Sequence, residues 1–432
     1  MLKRKIETTL EAWHQKEKKP ALLIMGARQV GKTTSIRRFA QQSYSYFLEI
    51  NFEEKPLLRS IFDGNLDADS IYEKLTVAGL GTWVPFKTLL FLDEIQSCPN
   101  ARTAIKFLVE DGRCDIIESG SLLGINYHDV SSFPVGFERK VEMHSLDFEE
   151  FLWAMGISQA TIEKVRQHYL SKTPVDDFFH ARLMEFFQRY LIVGGMPAVV
   201  IEYQQGKNLY GALENQKMIV GSYRDDIAKY AGRNKAHVMA IFDSIPAQLS
   251  EKNKKFVLAN LEDGASHRKY GDPLYWLHDA GISVFCYNVS QMTLPFELNQ
   301  RRNIFKVFLR DTGLLSSMSL GNVQKAILQG DLNVNQGAIT ENGVADLLFK
   351  NGHSLHYYDV KGRQEIDFVL NKDQKVIPLE VKSGLDSHHH PSLTHLLENP
   401  NITIESALVL CRDNVSQDGK VTYLPLYMAM FL

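Results

Sequence analysis

Gly26-Ala27-Arg28-Gln29-Val30-Gly31-Lys32-Thr33 decides the reading of this chain. The octapeptide fits G-x-x-x-x-G-K-[ST] and follows the apolar run Ala21-Leu22-Leu23-Ile24-Met25. A buried strand entering a glycine loop and a helix leaving it is the context that turns this pattern into a phosphate cradle. Thr33-Thr34-Ser35-Ile36-Arg37-Arg38-Phe39 suits that helix. Gly26 and Gly31 are expected to give the loop the backbone angles that turn its N–H groups inward. The helix N-terminus adds partial positive charge. Residues 26–34 are therefore the expected nucleotide-binding segment: Gly26, Ala27, Arg28, Gln29, Val30, Gly31, Lys32, Thr33 and Thr34. Lys32 is assigned to the β- and γ-phosphates and Thr33 to Mg²⁺.

Some sixty residues on, Thr88-Leu89-Leu90-Phe91-Leu92-Asp93-Glu94 is an apolar run ending in two carboxylates. Asp93 is expected to hold Mg²⁺, and Glu94 to orient and deprotonate the attacking water. Asp115-Ile116-Ile117-Glu118 then runs into Ser119-Gly120-Ser121. A small hydroxyl there would sense the γ-phosphate or polarise the water. Ser119 and Ser121 are equally placed by sequence, and a plain turn is the alternative.

Composition sets the bounds. With 432 residues, the chain has room for two to four domains. A formal net charge of −3 gives no global basic field. Cys98, Cys114, Cys286 and Cys411 are scattered, with no C-x-x-C pair, and read as reduced thiols of a cytoplasmic protein. No apolar segment is long enough to span a bilayer, so no membrane association is expected.

Strand and helix patterns alternate to about residue 145, which predicts a parallel α/β sheet. The pattern predicts a strand over 46–51 and a helix over 67–78. Residues 146–235 read as helical, broken at Gly194-Gly195-Met196-Pro197. Residues 236–330 have a winged-helix rhythm: short helices over 242–249, 256–261 and 273–280, then Gly281 and a strand over 282–287. Residues 331–432 form the last segment. The expected fold class is thus α/β: a P-loop NTPase parallel sheet, a helical and winged-helix middle, and an α/β C-terminal domain that the acids and lysine described next mark as restriction-endonuclease-like.

That last segment carries a second constellation. Glu365-Ile366-Asp367-Phe368-Val369-Leu370 and Val376-Ile377-Pro378-Leu379-Glu380-Val381-Lys382 read as adjacent strands. Asp367 and Glu380 would meet at one edge, with Lys382 on the same face. Glu341 lies in a helical run over 339–350, and Glu365 is a further acid beside Asp367. Carboxylates of this kind hold Mg²⁺, here Glu341, Asp367 and Glu380, while Lys382 stabilises the attacking hydroxide. Surface ion pairing is the plainer alternative. Ser387-His388-His389-His390 reads as a solvated loop rather than a metal site.

Taken together, the chain resembles the prokaryotic AAA-superfamily ATPases that carry a C-terminal domain of unknown function related to PD-(D/E)xK nucleases. The resemblance rests on Gly26–Thr33, Leu92-Asp93-Glu94-Ile95-Gln96, Ser119-Gly120-Ser121-Leu122-Leu123, Ser145–Leu152 and Gly194–Pro197. It continues through Asp311-Thr312-Gly313-Leu314-Leu315, Glu341-Asn342, Glu365–Phe368 and Leu379–Gly384. It implies ATP and Mg²⁺ as ligands, a winged-helix middle and a nuclease-like end, but no substrate; DNA and either a second copy or a protein partner are the candidate partners of the chain. Arg139 sits where such proteins carry an arginine that would contact the γ-phosphate as sensor or finger, a surface ion pair with Glu138 or Glu142 being the alternative. His144 and Asp147 depart from the family pattern.

Overall fold

The computed structural model describes residues 2–122, 134–319, 336–360, 364–384 and 386–432. The chain divides into two compact units: Lys3–His144 with Asp279–Gly281, and chiefly Ser145–His278 with Ile282–Leu432.

The first unit is built on β1 (Ala21–Gly26), β2 (Tyr46–Asn51), β3 (Thr88–Asp93), β4 (Asp115–Ser121) and β5 (Glu138–Glu142). They form one sheet in the order β2-β3-β4-β1-β5, all pairs parallel. Burial on both faces explains why β1 and β3 are continuous apolar runs rather than alternating ones. Alternation still decides which core each side chain enters. Leu22, Ile24, Leu89, Phe91 and Ile117 pack with Leu10 and Trp13 of the helix Ile6–His14 and with Ile36 and Phe39 of the helix Lys32–Ser43. Leu23, Leu90, Leu92 and Ile116 face the other way, onto the helices Ala68–Val77 and Pro99–Asp111. Asp67 caps the former, its side chain accepting from the Ser70 N–H. This is the parallel α/β fold expected of a P-loop NTPase.

The second unit begins with helices, among them Phe148–Ala154, Asp177–Val193, Pro197–Gly206 and Leu209–Tyr230. The glycine break over 194–197 falls between two of them. Gly194 has φ +71, and the Gly195 N–H donates to Asp311 Oδ2 at 2.8 Å. The helices Lys235–Ser250 and His267–Asp279 follow, the second starting earlier than its proline suggests and carrying Pro273 inside. The helix expected over 256–261 is instead a single 3₁₀ turn, Leu258–Asn260. A segment with Asn260, Asp263 and Gly264 offers turns more readily than helix hydrogen bonds. Gly281 has φ +73, as a cap before a strand requires.

Two sheets complete this unit. β6 (Ser283–Val289) pairs antiparallel with β7 (Gln300–Leu309) and parallel with β8 (His356–Asp359), which carries β9 (Glu365–Ile366). The other sheet is mixed, in the order β10-β11-β12-β14-β13. Its strands are β10 (Phe368–Lys372), β11 (Lys375–Val381), β12 (Ala407–Cys411), β13 (Ser416–Asp418) and β14 (Val421–Pro425). Residues on either side of position 331 thus share one sheet. All four cysteines are buried and free. No helix among the described residues is long and apolar enough to cross a membrane.

Candidate functional site: a phosphate loop and a lysine-filled acidic cluster

The octapeptide lies where β1 ends and the helix Lys32–Ser43 begins. Gln29 (φ +65) and Gly31 (φ +97) adopt left-handed backbone, which folds successive amides into a concave, anion-accepting nest. Gly31 is the helix N-cap. Gly26 is required for another reason than its dihedral. A Cβ there would stand 2.2 Å from the Met143 carbonyl oxygen, because the chain leaving β5 runs against it. Gly26→Ala is therefore expected to cost about 1–3 kcal/mol through overpacking. A thermal-shift or denaturant titration checks it.

Lys32 is buried, its Nζ donating to the carbonyls of Gly26 and Ala27 at 3.0 Å. Burial pulls its ammonium below the ordinary lysine value, opposed by the nearby charges of Glu94 and Asp93. Asp93 is the hub. It accepts from Thr33 Oγ1 at 3.1 Å, from Asn51 Nδ2 at 2.9 Å and from the Ser119 hydroxyl. The structure thus separates the two serines: Ser119, not Ser121, reaches Asp93. Strand register explains it, since Asn51 stands opposite Asp93 and Glu118 opposite Leu92.

Glu94 sits in left-handed backbone (φ +54) just beyond β3. Burial raises its carboxyl above the usual glutamate value, with the Gln96 amide working against that shift. Gln96 Nε2 donates to Glu94 Oε2 at 2.5 Å. Asn51 and Gln96 are contributors that motif reading passes over, although both flank recognisable segments. Arg4 is a third: its guanidinium donates to the Val30 carbonyl at 2.8 Å and to the His144 carbonyl at 2.6 Å, tying loop to strand exit.

Arg139 stands apart from this group. It is exposed on β5 and level with Leu22, four residues before the loop end of β1, about 13 Å along the strand. Its neighbour Glu138 makes a paired contact at 3.0 Å with Arg102. Thr34 is exposed on the first helical turn, and Arg28 and Ala27 line the loop. Leu123 lies outside the described residues.

Thr33 and Asp93 form a hydroxyl–carboxylate pair of the kind that suits Mg²⁺, which favours few protein ligands plus phosphate oxygens. The residues fit that ion.

The C-terminal constellation assembles differently. Glu341, on the helix Gln336–Lys350, is buried. Asp367 Oδ2 accepts from the Val381 N–H at 2.9 Å, and the antiparallel pairing of β10 and β11 brings it to Glu380. Burial, then the neighbouring Asp367, pushes the Glu380 carboxyl well up. Lys382 lies 3.8 Å from Glu380. So Glu341, Asp367, Glu380 and Lys382 do meet in one region. Two unforeseen lysines meet them there. Lys306 of β7, fully buried, lies 2.9 Å from Glu341 Oε1 and 2.8 Å from Glu365 Oε1, while Lys254 pairs with Glu341 Oε2. Among the described residues no three His, Cys, Asp or Glu side chains converge to hold a metal ion. With ammonium groups between its acids, this cluster does not fit a divalent cation. His390 also departs from the solvated loop expected of 387–390. It is buried, 2.8 Å from the Tyr423 hydroxyl, whereas His388 and His389 are exposed.

Residues 18–152 match the family model described as an AAA domain. Residues 184–325 and 336–428 match two families described as domains of unknown function, DUF8612 and DUF4143. No curated protein matches the sequence. Among solved structures, the Aeropyrum pernix ORC1 protein in complex with DNA aligns over 75% of this chain and 93% of its own, at 11% identity and TM-score 0.29. PCH-2 of C. elegans aligns over 49% of this chain and 67% of its own, at 11% identity and TM-score 0.27. The chain carries an AAA-type domain on a P-loop NTPase fold, followed by two regions whose families have no assigned function.

Proposed function

We propose that this protein binds and hydrolyses ATP with Mg²⁺, and that its nucleotide state acts on the C-terminal region. The observation that carries the first part is the hub at Asp93. Thr33, Asn51 and Ser119 all hydrogen-bond to it, beside the Lys32 ammonium and the buried Glu94. In this reading the loop amides and Lys32 bind the phosphates, and Thr33 with Asp93 holds the ion. When bound, Mg²⁺ would supply charge neutralisation to the phosphates. Glu94 takes the proton of the attacking water, and its raised pKa makes it a stronger base than an ordinary glutamate. Ser119 fixes the Asp93 carboxylate in place. Arg139, distant from its own loop, would act only from a neighbouring copy.

Lys32→Ala tests the binding step. ATP affinity should fall about 10- to 100-fold, the loss expected for a charge-assisted contact. Equilibrium titration with a fluorescent ATP analogue measures it, and unchanged affinity would remove Lys32 from the site.

For the C-terminal region two readings compete. One is nucleic-acid processing by a nuclease-like domain, with the winged-helix-like segment docking DNA. The other is a nucleotide-dependent switch in which the domain is a catalytically inert scaffold that meets a partner or a second copy. The lysines seated among the acids favour the switch. Incubating the chain with plasmid DNA, ATP and Mg²⁺ or Mn²⁺ tests this: cleavage lost in Lys382→Ala would restore the nuclease reading.

A further inference from the structure

We infer that Lys306 is the resident cation of the C-terminal acidic cluster, an ammonium built into the place that a divalent metal takes between such carboxylates. The inference deepens the inert-scaffold reading of that domain and is independent of the ATPase reading.

Four carboxylates are gathered here: buried Glu341 from a helix and buried Glu380 from β11, with half-buried Glu365 of β9 and Asp367 at the bend between β9 and β10. Such a group in a low-dielectric interior needs a positive charge. A nuclease-like site meets that need with a metal ion. Here the need is met within the chain. Lys306 Nζ is completely buried, within 2.9 Å of Glu341 and 2.8 Å of Glu365. Its ammonium also lies 4.9 Å from the centroid of the Tyr357 ring, whose face favours a cation. Lys254 takes the remaining oxygen of Glu341. The strand that delivers Lys306 is held on both sides of the position. Cys286 of β6 is its register partner, and the Leu309 N–H and C=O both bond the side chain of Asn342, next to Glu341. A lysine fixed in this way cannot swing out to solvent as a surface lysine does. A divalent ion would have to expel a buried ammonium or share the same two carboxylates with it, and like charges at that distance repel strongly.

The consequence is specific. The parent chain has no divalent-cation site at these acids, and truncating Lys306 should create one. The experiment is Mn²⁺ uptake by the full chain without nucleotide, read from the EPR signal of free Mn²⁺. The parent, Asp367→Asn, Lys306→Ala and Lys306→Ala/Asp367→Asn are compared, so that uptake at the phosphate loop cancels. Parent and Asp367→Asn should give the same isotherm. Lys306→Ala should gain a site at least about tenfold tighter than any in the parent, a difference of about 1.4 kcal/mol. That site should vanish in the double variant, and Mn²⁺ should raise the thermal midpoint of Lys306→Ala alone.

Uptake by the parent that Asp367→Asn abolishes would overturn the inference, as would a folded Lys306→Ala with no added site. Should Lys306→Ala fail to fold, the comparison of parent with Asp367→Asn decides by itself. Failure of this inference is distinguishable from failure of the scaffold reading. Asp367-dependent Mn²⁺ uptake without DNA cleavage would sink the first and leave the second.

Discussion

Glu94→Gln should bind ATP with near-parental affinity yet hydrolyse it about 10²- to 10⁴-fold more slowly, the contribution usual for a general base. The substitution keeps the side chain's shape and removes its capacity to accept a proton. Because Glu94 lies just beyond β3 in left-handed backbone and not in the loop, the cradle around Lys32 should be undisturbed. The pH profile separates this role from a structural one. Burial raises the Glu94 carboxyl, so kcat of the parent should fall as pH drops through a value above that of an ordinary glutamate. The sign follows from the deprotonated form being the active one. The Gln variant should lack that acidic limb. Single-turnover assays between pH 5 and 9, with ATP binding measured in parallel, make the check; hydrolysis at the parental rate would remove Glu94 from the mechanism. Gln96→Ala offers a milder companion. Without the amide that opposes it, the raised Glu94 pKa should rise further and shift the same limb upward.

Lys306→Met is expected to destabilise the second unit by about 3–5 kcal/mol, the cost of stripping one partner from a buried ion pair. Methionine replaces most of the stem volume, so the loss reports charge rather than cavity. Glu341 and Glu365 would be left facing each other with Lys254 on only one of them. Adding Glu341→Gln to the variant should return part of the loss. A double-mutant cycle would give a coupling energy of the order of 1–3 kcal/mol for the contacting pair. Urea unfolding followed by intrinsic fluorescence reads all four corners. A cost below about 1 kcal/mol would mean that Lys306 and its acids behave as an exposed pair does.

The two candidate sites differ in how far the sequence could be read, and the difference is one of distance along the chain. The phosphate loop is local: strand, glycines, lysine and threonine are contiguous, and their periodicity and spacing specify the turn without help from elsewhere. The carboxylates at 93 and 94 are legible for the same reason, at the end of an apolar strand whose register in a parallel sheet can be anticipated. Even there, the tertiary structure changed one reason, since Gly26 is held by the Met143 carbonyl and not by a left-handed φ. It also chose between Ser119 and Ser121, which sequence leaves equal, because the two share one face of β4 and the register sets only Ser119 level with Asp93.

The C-terminal acids were individually legible, as were the helix and the β10–β11 hairpin that carry them. Their electrostatic state was not. Lys306 is 35 residues from Glu341, and Lys254 is 87 residues away. A lysine in an apolar strand such as Ile304-Phe305-Lys306-Val307-Phe308 says only that a charge is buried there, not which partner neutralises it. Sequence alone determined that this chain has a nucleotide-phosphate loop in a parallel α/β sheet and a cluster of acids near its end. Only the tertiary structure decided which groups complete each site, because side chains remote in sequence meet through sheet order and helix packing.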